Sequence, residues 1–391
     1  MKQQWQAAKQ VIRQLEEAGF EAVFVGGAVR DALLDRPVND VDVATSALPE
    51  EVKAVFSKTI DIGIEHGTVL VLDAGEPIEV TTYRTDGEYA DHRRPEGVVF
   101  VRSLEEDLKR RDFTMNAIAM DADERIIDLY GGREDIHHKI IRAVGNPSER
   151  FAEDALRMLR AVRFSAQLGF AIEQATLAAV KEHAAEISFV ARERIAAELE
   201  KIWVSSAPKA GIDALVESGL GHYLPGNVPA HQEKWAPFHA EQAVVGWAYL
   251  SFLNDDWQEI VQSYRLSNKD KAFIKQVLAA NGKLQEGWRP FDYFTYDMDV
   301  LNAAYDFALW AGDAPSITKE EIYRNKAALP IQTKQELAVN GHDFLQWHGG
   351  RGGPWLKEAM AQALLAVLEG KMQNDNQQIK DWFINDFLHE G

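Results

Sequence analysis

The chain has 391 residues, 46% of them apolar and 26% charged, a composition that points to a folded globular protein and excludes disordered and fibrous classes. Lys and Arg number 42 against 61 Asp and Glu, a formal charge of −19, and cysteine is absent, which removes disulfides, thiolate zinc centres, iron–sulfur clusters and cysteine nucleophiles. The missing cysteines fit a reducing compartment, residues 1–20 lack the apolar stretch of a signal peptide, and no run approaches the ~20 apolar residues of a membrane span; a cytoplasmic protein with no membrane association is expected. The acidic sum argues against a nucleic-acid partner, but phosphates respond to the local field. Basic residues cluster at Lys109, Arg110 and Arg111 and at Arg150, Arg157, Arg160 and Arg163, where a polyanion can bind.

Trp5, Ala8, Val11, Ile12 and Leu15 recur at helical spacing, so 4–18 is read as a helix. Ala22–Val25 is a short buried strand, broken by Gly26-Gly27, after which Ala28–Leu34 resumes as helix. Val38–Ala44, Val69–Leu72 and Ile78–Tyr83 alternate as strands. Residues 84–97 are polar and turn-rich, a long loop or hairpin tip. Phe113–Met120 and Arg125–Leu129 are the last strands expected. From 149 onward the pattern is helical: 149–168, 173–185, 191–204, 208–218, 238–253, 256–264, 268–281, 298–310, 317–327 and 354–371. A mixed head followed by helices alone implies a domain boundary near 130–150.

Chemistry concentrates in the head. In a strand, residues i and i+2 face the same way, so Asp40 and Asp42 project together while Val41 and Val43 enter the core. Two adjacent carboxylates repel unless a cation lies between them, and Mg²⁺ is the cation that carboxylates and substrate phosphates hold jointly. A bare D-x-D is common on solvated strands. Here a Gly-Gly turn and helix start lie a dozen residues upstream, where backbone N–H groups can approach a phosphate. Gly27 and Arg30 then face a triphosphate. Glu79, opposite in sense to Ile78 and Val80, is equally compatible with a third carboxylate of the site and with an exposed strand glutamate.

Gly26-Gly27-Ala28-Val29-Arg30-Asp31, followed by Asn39-Asp40-Val41-Asp42-Val43-Ala44-Thr45, resembles the signature of the DNA-polymerase-beta-type nucleotidyltransferases. More narrowly, it is similar to the class II tRNA nucleotidyltransferases, single-chain bacterial CCA-adding enzymes and their poly(A) polymerase relatives. Later segments match in order: Arg110–Ala117 resembles the ribose-recognising motif, Asp128–Gly132 the hinge between head and neck, Glu153–Phe164 the nucleotide-template helix, Arg192–Leu199 its buttress, and Asn340–Phe344 and Gly353–Leu356 the tail motifs. The resemblance implies an α+β fold. A polymerase-beta-like head of small mixed sheet and flanking helices (1–148) precedes an all-helical neck (149–205), body (206–310) and tail (311–391), the last binding tRNA.

On this reading Asp40 and Asp42 hold two Mg²⁺ ions, and Asp40, Asp42 and Glu79 are the catalytic carboxylates. Gly27, Arg30, Arg160 and Arg163 bind the triphosphate, and Arg111 and Asp112 the ribose hydroxyls. Asp154, Arg157, Arg160 and Arg163 recur every three residues, and a run of arginines with one carboxylate leaves room for an anion. Asp154 and Arg157 suit base reading: a carboxylate accepts from the exocyclic amino group of cytosine or adenine while a guanidinium donates to ring acceptors, and uracil and guanine fail both contacts. The pair does not explain a switch from C to A; the resemblance implies that the growing RNA end and the loop at 84–97 do so.

The function expected is template-independent addition and repair of the 3′-terminal CCA of tRNA from CTP and ATP, with release of pyrophosphate. A poly(A) polymerase is the nearest alternative, but Gly63–Thr68 departs from the basic stretch of those relatives and the chain ends without a basic tail. CC-only relatives lack the loop present at 86–97. A-only addition and a non-catalytic RNA-binding protein are the remaining alternatives. His342-Asp343 has no further metal-ligand set around it, His137-His138 reads as surface, and most of the tryptophans read as core. The sequence leaves the oligomeric state, a homodimer included, undecided.

Overall fold

Ala8, Val11, Ile12 and Leu15 are fully buried along one side of helix α1 (Lys2–Glu17), and Trp5 stacks on Phe24 of strand β1 with ring centroids 4.4 Å apart. The computed structural model describes residues 2–38, 40–86, 98–254 and 256–390. Strands follow in chain order as β1 (Ala22–Val25), β2 (Asp42–Thr45), β3 (Thr59–Gly63), β4 (Thr68–Val71), β5 (Ile78–Thr82), β6 (Arg84–Asp86), β7 (Val98–Phe100), β8 (Ile118–Met120) and β9 (Ile126–Asp128). Seven form one mixed sheet in the order β3-β4-β5-β2-β1-β8-β9, with β2 parallel to β5 and antiparallel to β1. β6 and β7 pair antiparallel as the two arms of the expected hairpin; residues 87–97 of that loop, and Asn39, lie outside the described residues.

The helices of this region are α2 (Gly27–Leu33), α3 (Pro49–Val55), α4 (Leu104–Lys109), α5 (Gly132–His138), α6 (Pro147–Glu153), α7 (Leu156–Leu168), α8 (Gln174–His183), α9 (Arg192–Trp203) and α10 (Pro208–Glu217). Ala161 and Phe164 of α7 pack into the same core as Phe24, Val43, Val80 and Phe113 of the head, which anchors α7 against the sheet. At the start of α5, Asp128 accepts from the backbone N–H of Gly132 at 2.9 Å and of Arg133 at 2.8 Å, satisfying donors that a helix start leaves open. Gly132 is packed so tightly that an added Cβ would lie 2.2 Å from the Thr114 carbonyl oxygen.

The chain divides into two compact units, Met1–Ala243 with Gln258–Arg265, and Val244–Trp257 with Leu266–Gly391. The expected body, 206–310, contributes residues to both. In the second unit Val300, Leu301, Ala304 and Phe307 are buried on the helix Met298–Ala311, and a separate cluster gathers Phe344, Val367, Ile379 and Phe383. Among the described residues no helix is long and apolar enough to cross a membrane.

Three expectations are corrected. The helix read over 149–168 is two helices, because the backbone of Asp154 is extended (φ −143°, ψ 102°) and α7 starts only at Leu156. The strand read over 113–120 begins at Ile118, and Thr114–Asn116 is one turn of 3₁₀ helix. β3 went unread; Ile60, Asp61 and Ile62 are all exposed on this edge strand, so it carries no alternation to detect.

Candidate active site

A cavity of about 500 Å³ opens where the Gly26-Gly27 turn, the Arg110–Asn116 segment and the α6–α7 junction converge. Of the residues singled out in the sequence, Gly27, Asp42, Arg111, Asp112, Asp154, Arg157 and Arg160 line it; Asp40, Glu79, Arg30 and Arg163 do not. The lining is dominated by arginines, with Arg84, Arg110 and Arg194 added to those expected, a surface suited to a polyanion. Gly26 has φ +70°, and a Cβ there would meet Arg111 Nη1 at 3.0 Å. The turn that begins α2 therefore needs a residue free of both constraints.

The strand read over Val38–Ala44 is β2, which opens only at Asp42, so Asp40 precedes it outside the strand; Asp40 and Asp42 are exposed while Val41 and Val43 are buried. Asp42 is exposed to solvent at the cavity, yet enough protein surrounds its carboxyl that desolvation raises its pKa; Arg111 opposes the rise and Asp40 adds to it. Glu79 stands directly across the parallel ladder from Asp42, and its pKa is also raised, by desolvation and then by Asp42 and Asp40. This is a carboxylate group short of positive charge. Among the described residues no set of three or more acidic or His side chains is placed to hold a metal by itself. Asp40 and Asp42 alone would leave most ligand positions to be filled from elsewhere, which fits Mg²⁺ shared with substrate phosphates.

Asp112 is buried, and burial alone would raise its pKa. Arg160 (Nε at 2.7 Å, Nη2 at 2.6 Å), a hydrogen bond from Asn116 and the nearby Arg157 outweigh that and hold it down to about 2. It is an anion at every working pH. The arginines of α7 are not short of counter-charge, contrary to the expectation from the sequence. Arg157 pairs with Glu153 at 2.6 Å and donates to the Arg110 carbonyl at 2.9 Å, Arg160 pairs with Asp112, and Arg163 pairs with Glu198 of α9 at 2.5 Å. Arg163 is buried, its pKa lowered to about 10 chiefly by desolvation, and its guanidinium lies 3.9 Å from the centre of the Phe164 ring. Arg30 and Arg160 face the same ring at 5.1 and 5.7 Å.

Asp154 lies in the break rather than on a helix. One oxygen accepts from the Leu156 N–H at 3.1 Å, which caps α7, and the other accepts from Arg194 Nη2 at 2.7 Å. Family models match in series: a poly A polymerase head domain over residues 22–142, an RNA- and SrmB-binding site of polymerase A over 169–228, and a tRNA nucleotidyltransferase domain 2 over 238–383. The CCA-adding enzyme of Geobacillus stearothermophilus is 44% identical over 399 positions that cover 98% of each chain. The chain belongs to the CCA-adding enzyme family. A crystal structure of the Bacillus stearothermophilus CCA-adding enzyme in complex with CTP superposes with a TM-score of 0.89 at 41% identity, covering 100% of this chain and 99% of that one. The Thermotoga maritima CCA-adding enzyme complexed with tRNA, 21% identical and with a TM-score of 0.66 over 96% and 94% of the two chains, shares the fold.

In this CCA-adding family member, several cavity residues escaped the sequence reading. In the sequence Asn116 and Arg194 stand out only as members of motifs, and Arg110 only as a member of a motif and of a basic cluster. Their roles depend on partners far along the chain: Arg194 on Asp154, 40 positions away, and Asn116 on Arg30, 86 positions away. Spacing carries no signal at that range. Asp107, also unread, is 1% exposed and binds both Arg110 and Arg111 at 2.9 and 3.0 Å. It holds two arginines of the cavity wall in place.

Proposed function

We infer that this chain adds and repairs the 3′-terminal CCA of tRNA without a nucleic-acid template, using CTP and ATP as substrates and releasing pyrophosphate. The observation that carries the reading is one cavity, lined by Asp42, the Arg111–Asp112 pair and the Asp154/Arg157 pair, in a chain aligned from end to end with CCA-adding enzymes.

Asp40 and Asp42 would hold Mg²⁺, two ions in this reading, which when bound supply charge neutralisation at the leaving pyrophosphate and a more acidic 3′-hydroxyl. The α2 turn at Gly27 lets the backbone approach the phosphates, and Arg160 faces the nucleotide with its charge partly committed to Asp112. Arg30 and Arg163, which do not line the cavity, are read as further cations for the triphosphate. Arg111 donates to a ribose hydroxyl and the ionised Asp112 accepts from one. Asp154 accepts from the exocyclic amino group of cytosine or adenine and Arg157 donates to the ring, so uracil and guanine meet acceptor against acceptor and donor against donor. Glu79, paired with Asp42 across the ladder and with its own pKa raised by desolvation and then by Asp42 and Asp40, is the third carboxylate of the site. The division into head (1–148), neck (149–205), body (206–310) and tail (311–391) is kept as the functional reading, body and tail gripping the tRNA by shape and backbone, in the cytoplasm.

The test is incubation with Mg²⁺, labelled CTP or ATP, and a tRNA lacking its last three nucleotides. Two C residues and one A, then a stop, are expected. Open-ended A tails would move the assignment to polyadenylation, a single A to A-only addition, and no incorporation to an RNA-binding protein.

A further inference from the structure

Asn116 lies on the one-turn 3₁₀ helix between Phe113 and Ala117, and only 6% of it is exposed. Its carboxamide is engaged at both ends by charged groups of the site. Nδ2 donates to Asp112 Oδ1 at 2.9 Å, and Oδ1 accepts from Arg30 Nη1 at 2.8 Å. Its main-chain carbonyl accepts from Arg111 Nη1 at 3.4 Å. One residue thus touches the ribose pair, Arg111 and Asp112, and the α2 arginine behind the phosphates.

The order of donor and acceptor matters. A carboxamide is the neutral group that presents a donor to a carboxylate and an acceptor to a guanidinium at once. Asp112 has two other sources of restraint: Phe113 N–H donates to the same Oδ1 at 2.8 Å, and Arg160 holds Oδ2. Those two fix the carboxylate near its own backbone and toward α7. Asn116 supplies the third direction, which sets the tilt of the carboxylate plane toward the cavity. Arg30 keeps a second anchor in Asp31 at 2.8 Å, so the arginine survives loss of the amide better than the aspartate does.

We propose that Asn116 is a positioning residue that orients Asp112 toward the ribose, and thereby sets the preference for ribonucleotides over deoxyribonucleotides. The proposal rests on the reading of Asp112 as a ribose ligand. Asn116 lines the cavity with only 6% of its surface exposed, and its side-chain amide is spent on Asp112 and Arg30, so it acts through Asp112. Its substitution therefore shifts sugar selection more than turnover.

The experiment compares single-nucleotide addition of CTP and dCTP to tRNA lacking its last two nucleotides, by the full chain and by Asn116→Asp, Asn116→Ala, Asp112→Ala and the Asn116→Asp/Asp112→Ala double variant. Asn116→Asp preserves the shape of the side chain and the acceptor for Arg30 but turns the donor toward Asp112 into a second acceptor; Asn116→Ala removes both ends and serves if the first variant does not fold, as judged by thermal melting. The expected result is a fall of about tenfold in the CTP-over-dCTP ratio of kcat/KM, the worth of one charge-assisted hydrogen bond, carried by a higher KM for CTP with kcat nearly kept. In the Asp112→Ala background, Asn116→Asp should change the ratio no further. A native ratio in both Asn116 variants while Asp112→Ala lowers it overturns the proposal and leaves the ribose reading intact. An equal fall in the Asp112→Ala background shows Asn116 acting by another route and overturns it as well. A native ratio in Asp112→Ala removes the ribose reading and the proposal with it.

Discussion

Asp42 combines an exposed position with a carboxyl whose pKa is raised, chiefly by desolvation and then by Asp40 against Arg111. For an acid, a raised folded-state value means that the charged form is disfavoured in the fold. The contribution of this group to stability is present at low pH and lost as pH rises through the raised value. Asp42→Asn should therefore melt at or slightly above the native temperature at pH 7 in the absence of divalent ions, and nucleotide incorporation should fall by about a thousandfold or more, as for loss of a group central to transition-state charge. A melt with and without EDTA, set beside the incorporation rate, checks both halves. Without divalent ions Asp42 should take up its proton above the ordinary aspartate range, read by NMR of its carboxyl carbon, whereas Asp112, held to about 2, does not titrate there. At the base-reading end, Asp154→Ala with Arg157→Ala should admit UTP or GTP, scored as the ratio of incorporated nucleotides; each bidentate match is worth about 1–3 kcal/mol of discrimination.

At the scale of elements, the junction of α6 and α7 gives Asp154 two duties, since the carboxylate that faces the cavity also caps α7 through Leu156 N–H. Asp154→Asn keeps an acceptor for the cap and should leave the melting temperature nearly unchanged while base choice relaxes. Asp154→Ala loses the cap as well, costing about 1 kcal/mol and lowering the melt by roughly 2–4 °C in a unit of this size. Gly132→Ala drives a methyl against the Thr114 carbonyl; the overpacking should cost about 1–3 kcal/mol, read by denaturant unfolding. These elements also mark how far the sequence reads. β1 was legible to the residue because four apolar positions end at Gly26-Gly27. The α6–α7 break was not, because Asp154, Arg157, Arg160 and Arg163 keep a three-residue rhythm across it and the extended backbone at Asp154 rests on Arg194, 40 positions on. The same limit explains Arg163. Its arginine pattern suggested a phosphate ligand, while its buried partner Glu198 comes from α9.

Over the whole molecule, a charge of −19 repels tRNA at long range, and the arginine-lined cavity must draw its anion locally. Raising salt from low to physiological should therefore weaken tRNA much more than CTP, since an extended polyanion releases counterions in proportion to its phosphate contacts, with log–log slopes of about −0.7 to −0.9 per contact. KM values for both substrates across a salt series test this; parallel slopes would place few tRNA phosphates on basic side chains. The α+β head and helical remainder were legible from periodicity alone, and the motif order carried the family. The cavity itself was not, because the sheet, the α2 turn and α7 meet only in three dimensions.

Phe164 is ringed by the guanidinium groups of Arg30, Arg160 and Arg163. Each of these cations already has a carboxylate partner, Asp31, Asp112 or Glu198, and the aromatic face steadies all three without adding a further negative charge. The electron richness of one benzene ring thus becomes a graded control. Stepwise fluorination at this position should loosen the hold on CTP in small equal increments, with no sudden loss of the fold.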